Sequence, residues 1–152
     1  MNFSLIVFHS VMSFFATVSF SLIFNAPRKE LFYCGINGFV SWFVYDLMVS
    51  MSISKSIATF FATVALTMLA RFFSYHRQVP STLYHIAGIM SLVPGMTIYR
   101  TMMAAAESRI LDTYQYFFDV FQLASAIGAG SILVLILPYG CFEIFKKKSV
   151  KS

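Results

Sequence analysis

The chain has 152 residues, of which 59% are hydrophobic and only 11% are Asp, Glu, Lys or Arg; its mean hydropathy is +0.76. A soluble domain devotes about 25% of its residues to charge, so this composition excludes one and makes lipid the natural solvent. The net charge of +5 does not indicate a nucleic-acid partner, because the basic residues lie between apolar runs and at the C-terminus rather than along one face, which is the layout of membrane topology.

A helix needs about 20 apolar residues to cross the hydrocarbon core. Five stretches qualify. Residues 3–24 contain no Asp, Glu, Lys or Arg. No basic residues precede this run and no A-x-A site follows it, so it is expected to be a retained first span rather than a cleaved leader. The polar run from Asn25 to Glu30, with Pro27 inside it, stops that span. Residues 31–49 form the second, with Asp46 near its end. Residues 53–75 form the third, flanked by Lys55 and Arg71, whose long side chains can snorkel toward opposite interfaces. Residues 81–103 form the fourth, interrupted at Pro94-Gly95. Residues 104–116 carry Glu107, Arg109 and Asp112 and read as a solvated loop. Residues 117–138 form the fifth, followed by a basic tail over 139–152. The expected fold is therefore an all-α integral membrane protein: one membrane domain of about five transmembrane helices, the fourth broken, with no soluble domain.

Orientation follows from Lys and Arg in the short connections. One side collects Arg28, Lys29, Arg71, Arg77, Lys146, Lys147, Lys148 and Lys151. The other collects only Lys55, Arg100 and Arg109. This bias predicts a cytoplasmic C-terminus and an outer N-terminus.

The sharpest chemical signal is Pro94-Gly95 in the middle of the fourth span. Pro removes a backbone donor and Gly weakens the helix, so the two together predict a break. Freed backbone groups survive at that depth only inside protein or beside a wet cavity. Transporters use such breaks to aim a helix N-terminus at an anionic solute group; a packing kink is the other reading. Thr97 and Tyr99 fall just past the break, with Arg100 after them as a candidate landing site for a carboxylate. Arg100 could equally pair with Asp46 or Asp119.

Two hydroxyl stripes accompany the break. Ser10, Ser13, Thr17 and Ser21 share a face of the first span, and Lys55, Thr59, Thr63, Thr67 and Arg71 recur every four residues in the third. Such rows either line a hydrated path or bond back to their own helices and hold neighbours together. Small residues at Cys34/Gly38, Ala124/Gly128 and Ala126/Gly130 predict close helix packing. Cys34 and Cys141 read as packing residues, and His9, His76 and His85 as isolated. No metal cluster, nucleotide motif or nucleophile–base arrangement is present in the sequence, so neither an enzyme nor a cofactor is expected.

The order Phe24-Asn25-x-Pro27, Cys34-Gly35, Arg71, then Val93-Pro94-Gly95 and Tyr99 resembles the threonine/serine exporter (ThrE) family. The resemblance covers residues 17–106. Length and span count are similar to those of the family's small stand-alone, YjjB-like subunit. It implies export of small polar metabolites, namely threonine, serine or succinate, in concert with a larger YjjP-like membrane subunit. Arg100 departs from the family pattern, so its carboxylate role is specific to this sequence.

The expectation is a subunit of an exporter for small carboxylate-bearing solutes in the cytoplasmic (plasma) membrane, acting with a partner or as a homo-oligomer. Its candidate pathway residues are Pro94, Gly95, Thr97, Tyr99, Arg100, Thr63, Thr67, Arg71, Ser13, Thr17 and Asn25. The alternatives are a non-transporting accessory subunit and a passive homo-oligomeric pore.

Overall fold

The computed structural model describes residues 3–137. Among them every regular element is a helix: α1 (Phe3–Ile23), α2 (Leu31–Ser50), α3 (Lys55–Arg77), α4 (Ser81–Leu92), α5 (Gly95–Ala106) and α6 (Ile110–Ile136). Helices α1, α2, α3 and α6 are each long and apolar enough to cross a membrane. Helices α4 and α5, twelve residues each, are the two halves of the broken fourth span, and at 1.5 Å per residue each is about 18 Å long. The protein is a multi-pass membrane protein. The expected basic tail over 139–152, with Lys146, Lys147, Lys148 and Lys151, lies outside the described residues, as do Pro138 and Cys141.

Four of the helices, α1, α2, α3 and α5, stop where the backbone turns left-handed, and none of these four stops uses glycine. Asn25, Ser52, Gln78 and Ser108 have φ of 55°, 61°, 57° and 56°. After α1, the Ala26 amide bonds the Ser21 carbonyl and the Asn25 amide bonds the Leu22 carbonyl, both at 3.0 Å. That is the Schellman pattern, which satisfies the last carbonyls of a helix. Ser52 and Ser108 repeat it after α2 and α5. Gln78 makes the simpler single-bond version after α3, to the Ser74 carbonyl at 2.9 Å.

Helix α3 lies at the centre. Ala58, Ala62, Leu66 and Ala70 are fully buried along it, beside the buried Thr59, Thr63, Thr67 and Arg71. It packs against α2, α4 and α6, while α1 covers α2 and α4. The small residues permit this closeness. A Cβ at Gly130 would stand 2.8 Å from the Phe60 carbonyl oxygen, and one at Gly38 would overlap the Thr17 hydroxyl. Gly128 has open space around it, so of the two small-residue pairs in α6 only the one ending at Gly130 makes the α3 contact.

A polar latch ties the α1–α2 connection to α3 and α4. The Glu30 carboxylate accepts from Arg77 Nη2 at 2.8 Å and from the Tyr84 hydroxyl at 2.6 Å. Arg77 also lies over the Tyr33 ring, 4.9 Å from its centroid. Hydrogen bonding from Arg77 holds the Glu30 carboxyl below the usual carboxylate range; burial opposes the shift, and the Tyr84 bond reinforces it.

The expected loop over 104–116 is mostly helix instead. Helix α5 runs on to Ala106 and α6 begins at Ile110. The three charges that suggested a loop pair with one another around a tight turn: Arg109 donates to Glu107 at 2.8 Å and to Asp112 at 2.9 Å. Asp112 also falls in the first turn of α6, where its charge suits the helix dipole. At 27 residues, α6 extends to about 40 Å, beyond the ~30 Å hydrocarbon core. Helix α5 packs on α6, whereas α4 packs among α1, α2 and α3. The break therefore sends the second half-helix to a different partner.

Candidate solute site at the broken fourth span

The break is an inverse γ-turn centred on Pro94, whose φ of −76° and ψ of 62° match that turn. The Val93 amide makes the last bond of α4, to the Ile89 carbonyl at 3.1 Å, and the Gly95 amide folds back to the Val93 carbonyl at 2.8 Å. Pro94 has no N–H to offer Met90. The Gly95 amide, taken by Val93, is lost to the Ser91 carbonyl. The Trp42 indole replaces it, donating to Ser91 at 2.9 Å. Helix α5 then starts with Ile98 bonding the Pro94 carbonyl at 3.1 Å.

A cavity of about 350 Å³ opens at this turn. Pro94, Gly95 and Thr97 line it on one side; Lys55, Thr59, Tyr45 and Trp42 line it on the other. The amides of Met96 and Thr97 belong to the first turn of α5, where a helix provides no acceptor for them, and the positive end of the helix dipole lies there. The Lys55 ammonium adds a full positive charge on the facing wall. Thr59 donates its proton to the Lys55 carbonyl at 2.8 Å, which leaves the hydroxyl lone pairs as acceptors. A Cβ at Gly95 would meet nothing within 4 Å, so the backbone is open to the cavity. The arrangement suits a small anionic group, with acceptors and aromatic walls alongside.

A second cavity of about 430 Å³ lies between α1, α2 and α4, lined by His9, Ser13, Met90, Ser91 and Trp42 among others. Trp42 borders both cavities. Within the second, His9 Nδ1 sits 2.8 Å from Asp46 Oδ2, so His9 is not isolated.

The candidate residues divide between these cavities and the packing interfaces. Pro94, Gly95 and Thr97 line the first cavity, and Ser13 lines the second while donating to the Gly38 carbonyl at 3.0 Å. Tyr99 and Arg100 are exposed on α5 and line neither cavity. Among the described residues Arg100 forms no ion pair with Asp46 or Asp119; Asp46 is engaged by His9. Thr63 and Thr67 are buried and bond back to the carbonyls of Thr59 and Thr63 at 2.8 and 2.7 Å. Thr17 does the same to Ser13 at 2.8 Å and packs on Gly38. Arg71 donates to the carbonyls of Val134 and Leu137 at 2.7 and 2.6 Å, capping the end of α6. Asn25 is the left-handed stop of α1.

Neither Trp42 nor Tyr45 is named from the sequence, where Lys55 stands at the head of the third-span stripe and as a snorkelling residue but not among the candidate pathway residues. One signal was available: Trp42 is the single tryptophan, placed mid-span, and a buried indole N–H needs an acceptor.

The comparisons with known proteins agree with this architecture. Residues 9–137 match the family model described as "Threonine/Serine exporter, ThrE". The chain is 29% identical over 90 residues to an uncharacterized protein of Haemophilus influenzae, a match covering 59% of this chain and 30% of that protein. It is 25% identical over 124 residues to a probable threonine/serine exporter of Mycobacterium tuberculosis, covering 78% of this chain and 23% of that protein. The chain thus spans less than a third of the length of either relative. No solved structure matches it. With the family model covering the helical body from α1 into the end of α6, this chain belongs to the threonine/serine exporter (ThrE) family.

Proposed function

We propose that this chain supplies the solute site of an exporter for small carboxylate-bearing metabolites, threonine and serine or succinate-like dicarboxylates, and that it works in the plasma membrane with a larger membrane partner. The observation that carries the reading is the cavity at Pro94-Gly95, where the open N-terminus of α5 faces Lys55. A carboxylate placed there would meet two free amides, the dipole end and an ammonium, each favouring negative charge. The Thr59 hydroxyl and the rings of Tyr45 and Trp42 would receive the rest of a small polar solute. In the orientation expected from the Lys and Arg bias, the cavity lies toward the outer side, near the α2–α3 turn.

Two observations support a partner. The relatives are more than three times as long as the region they share with this chain. The outer face of the α5–α6 hairpin is also strongly apolar, with Met96, Tyr99, Met102, Leu111, Tyr114 and Phe118 all exposed. That face meets either lipid or a second membrane protein.

The test is efflux of labelled threonine and succinate from proteoliposomes holding this chain alone or with the larger subunit. Saturable efflux that requires the partner is expected, and the preferred solute names the substrate class. Unsaturable flux from this chain alone would instead make it a passive pore, and no flux in either preparation would make it an accessory subunit.

A further inference from the structure

We propose that His9 and Asp46 form a proton-binding site that couples solute movement to a proton gradient. The inference rests on the exporter reading above, but on different residues. Asp46 is the one acidic side chain within α1 to α5. A charge inside a span costs about 2.5–3.5 kcal/mol on insertion scales, and such residues mark ion and proton paths when they face a cavity. Asp46 is 5% exposed and His9 44% exposed, and His9 lines the 430 Å³ cavity. The imidazole is therefore the accessible end of the pair and the carboxylate the buried end.

With Asp46 ionised, the 2.8 Å contact places a proton on His9 Nδ1, and Nε2 is then the basic atom. One proton added at Nε2 gives an imidazolium–carboxylate pair, and the charge of the site changes from −1 to 0. The same proton leaves from Nε2 when the site resets. No other co-reactant is needed.

The surroundings leave this pair as the group that can respond. Helix α1 carries no other titratable side chain. On α2 the neighbour is Tyr45, while Tyr33 and Cys34 lie at the far end. On α4, Tyr84 is bonded to Glu30 and His85 to Ser131. On α3, Lys55 begins the helix just after the turn that follows Asp46, and Arg71, Tyr75, His76 and Arg77 lie at the other end. A route from the pair to the solute cavity is also present. The His9 and Trp42 rings meet edge-on with centroids 6.2 Å apart, and Trp42 holds the Ser91 carbonyl three residues before Pro94. Protonation changes the charge facing the indole that links the two cavities.

The experiment separates exchange from drive, using proteoliposomes of the full chain with the larger subunit. Exchange of labelled for unlabelled threonine needs no net proton movement, whereas uphill accumulation under an imposed pH gradient does. Asp46→Asn and His9→Gln are expected to keep exchange within about threefold of wild type and to lose gradient-driven accumulation at least tenfold. Accumulation retained in both variants overturns the proposal and leaves the exporter reading standing. Loss of exchange together with accumulation, with an unchanged thermal melt by far-UV circular dichroism showing a folded chain, also overturns it and makes the pair structural. If the wild type exchanges neither threonine nor succinate, the exporter reading fails. The emission of Trp42, the single tryptophan, then decides the proton site in the purified chain. Quenching that titrates with one proton and disappears in His9→Gln upholds the site, and a flat wild-type profile overturns it.

Discussion

Trp42 Nε1 donates to the Ser91 carbonyl at 2.9 Å, supplying from α2 the hydrogen bond that the Pro94 break removes from α4. A proline–glycine break strands carbonyls in a medium with no water to satisfy them. One indole both repairs that loss and forms the wall between two cavities. Trp42→Phe keeps the ring and removes the donor. An unsatisfied buried acceptor costs about 1–3 kcal/mol, so the variant should melt at lower temperature by circular dichroism and bind solute more weakly.

Lys55 and Arg100 are expected to separate sharply in transport. Lys55 lines the cavity at the start of α5, and Arg100 is exposed on α5 away from it. Loss of a charge-assisted hydrogen bond costs about 1.5–3 kcal/mol, roughly ten- to a hundredfold in affinity. Lys55→Gln should raise KM for threonine or succinate by that factor, while Arg100→Gln leaves it near wild type. The reverse result would move the carboxylate site to Arg100.

The Glu30 latch predicts an acid sensitivity with a definite sign. Its carboxyl titrates below the ordinary glutamate value in the folded protein, and that ordinary value is about 4.3. The latch therefore contributes its full stability above about pH 4.3, and the contribution is lost as pH falls through the lowered folded value. Thermal unfolding in detergent should show this loss in the wild type, and Glu30→Gln should lower the neutral-pH midpoint and flatten the acid limb. An unchanged acid limb would remove Glu30 from the account.

Packing of α6 on α3 predicts contrasting glycines. A side chain at Gly130 would strike the Phe60 carbonyl, a backbone atom that cannot swing aside, whereas Gly128 faces open space. Gly130→Val should destabilise by about 1–3 kcal/mol, the usual cost of overpacking. Gly128→Ala should be neutral or slightly stabilising, and comparison of the two melting curves checks the pair.

Much of this molecule was legible in its residues. Apolar run lengths gave the spans, and Pro94-Gly95 gave the break to within a residue, because proline and glycine act locally. The 104–116 segment differs from its loop reading because Glu107, Arg109 and Asp112 look solvated singly, and their mutual pairing around one turn depends on the geometry of α5 and α6. The hydroxyl stripes were ambiguous for a related reason. Spacing alone cannot tell whether Thr63 faces water or the Gly130 backbone, and the structure puts its hydroxyl on the Thr59 carbonyl. The cavity wall made by Trp42, Tyr45 and Lys55 required knowing which helices meet at the break, information that lies in packing rather than periodicity.

The most direct test of a carboxylate site at the break is solute protection of a cysteine at Thr97, in a background where Cys34→Ala and Cys141→Ser remove the native thiols. A small aqueous thiol reagent is expected to label Thr97→Cys, threonine or succinate to slow the labelling at concentrations near KM, and Lys55→Gln to abolish the protection. Labelling that proceeds at the same rate with and without either solute would contradict it.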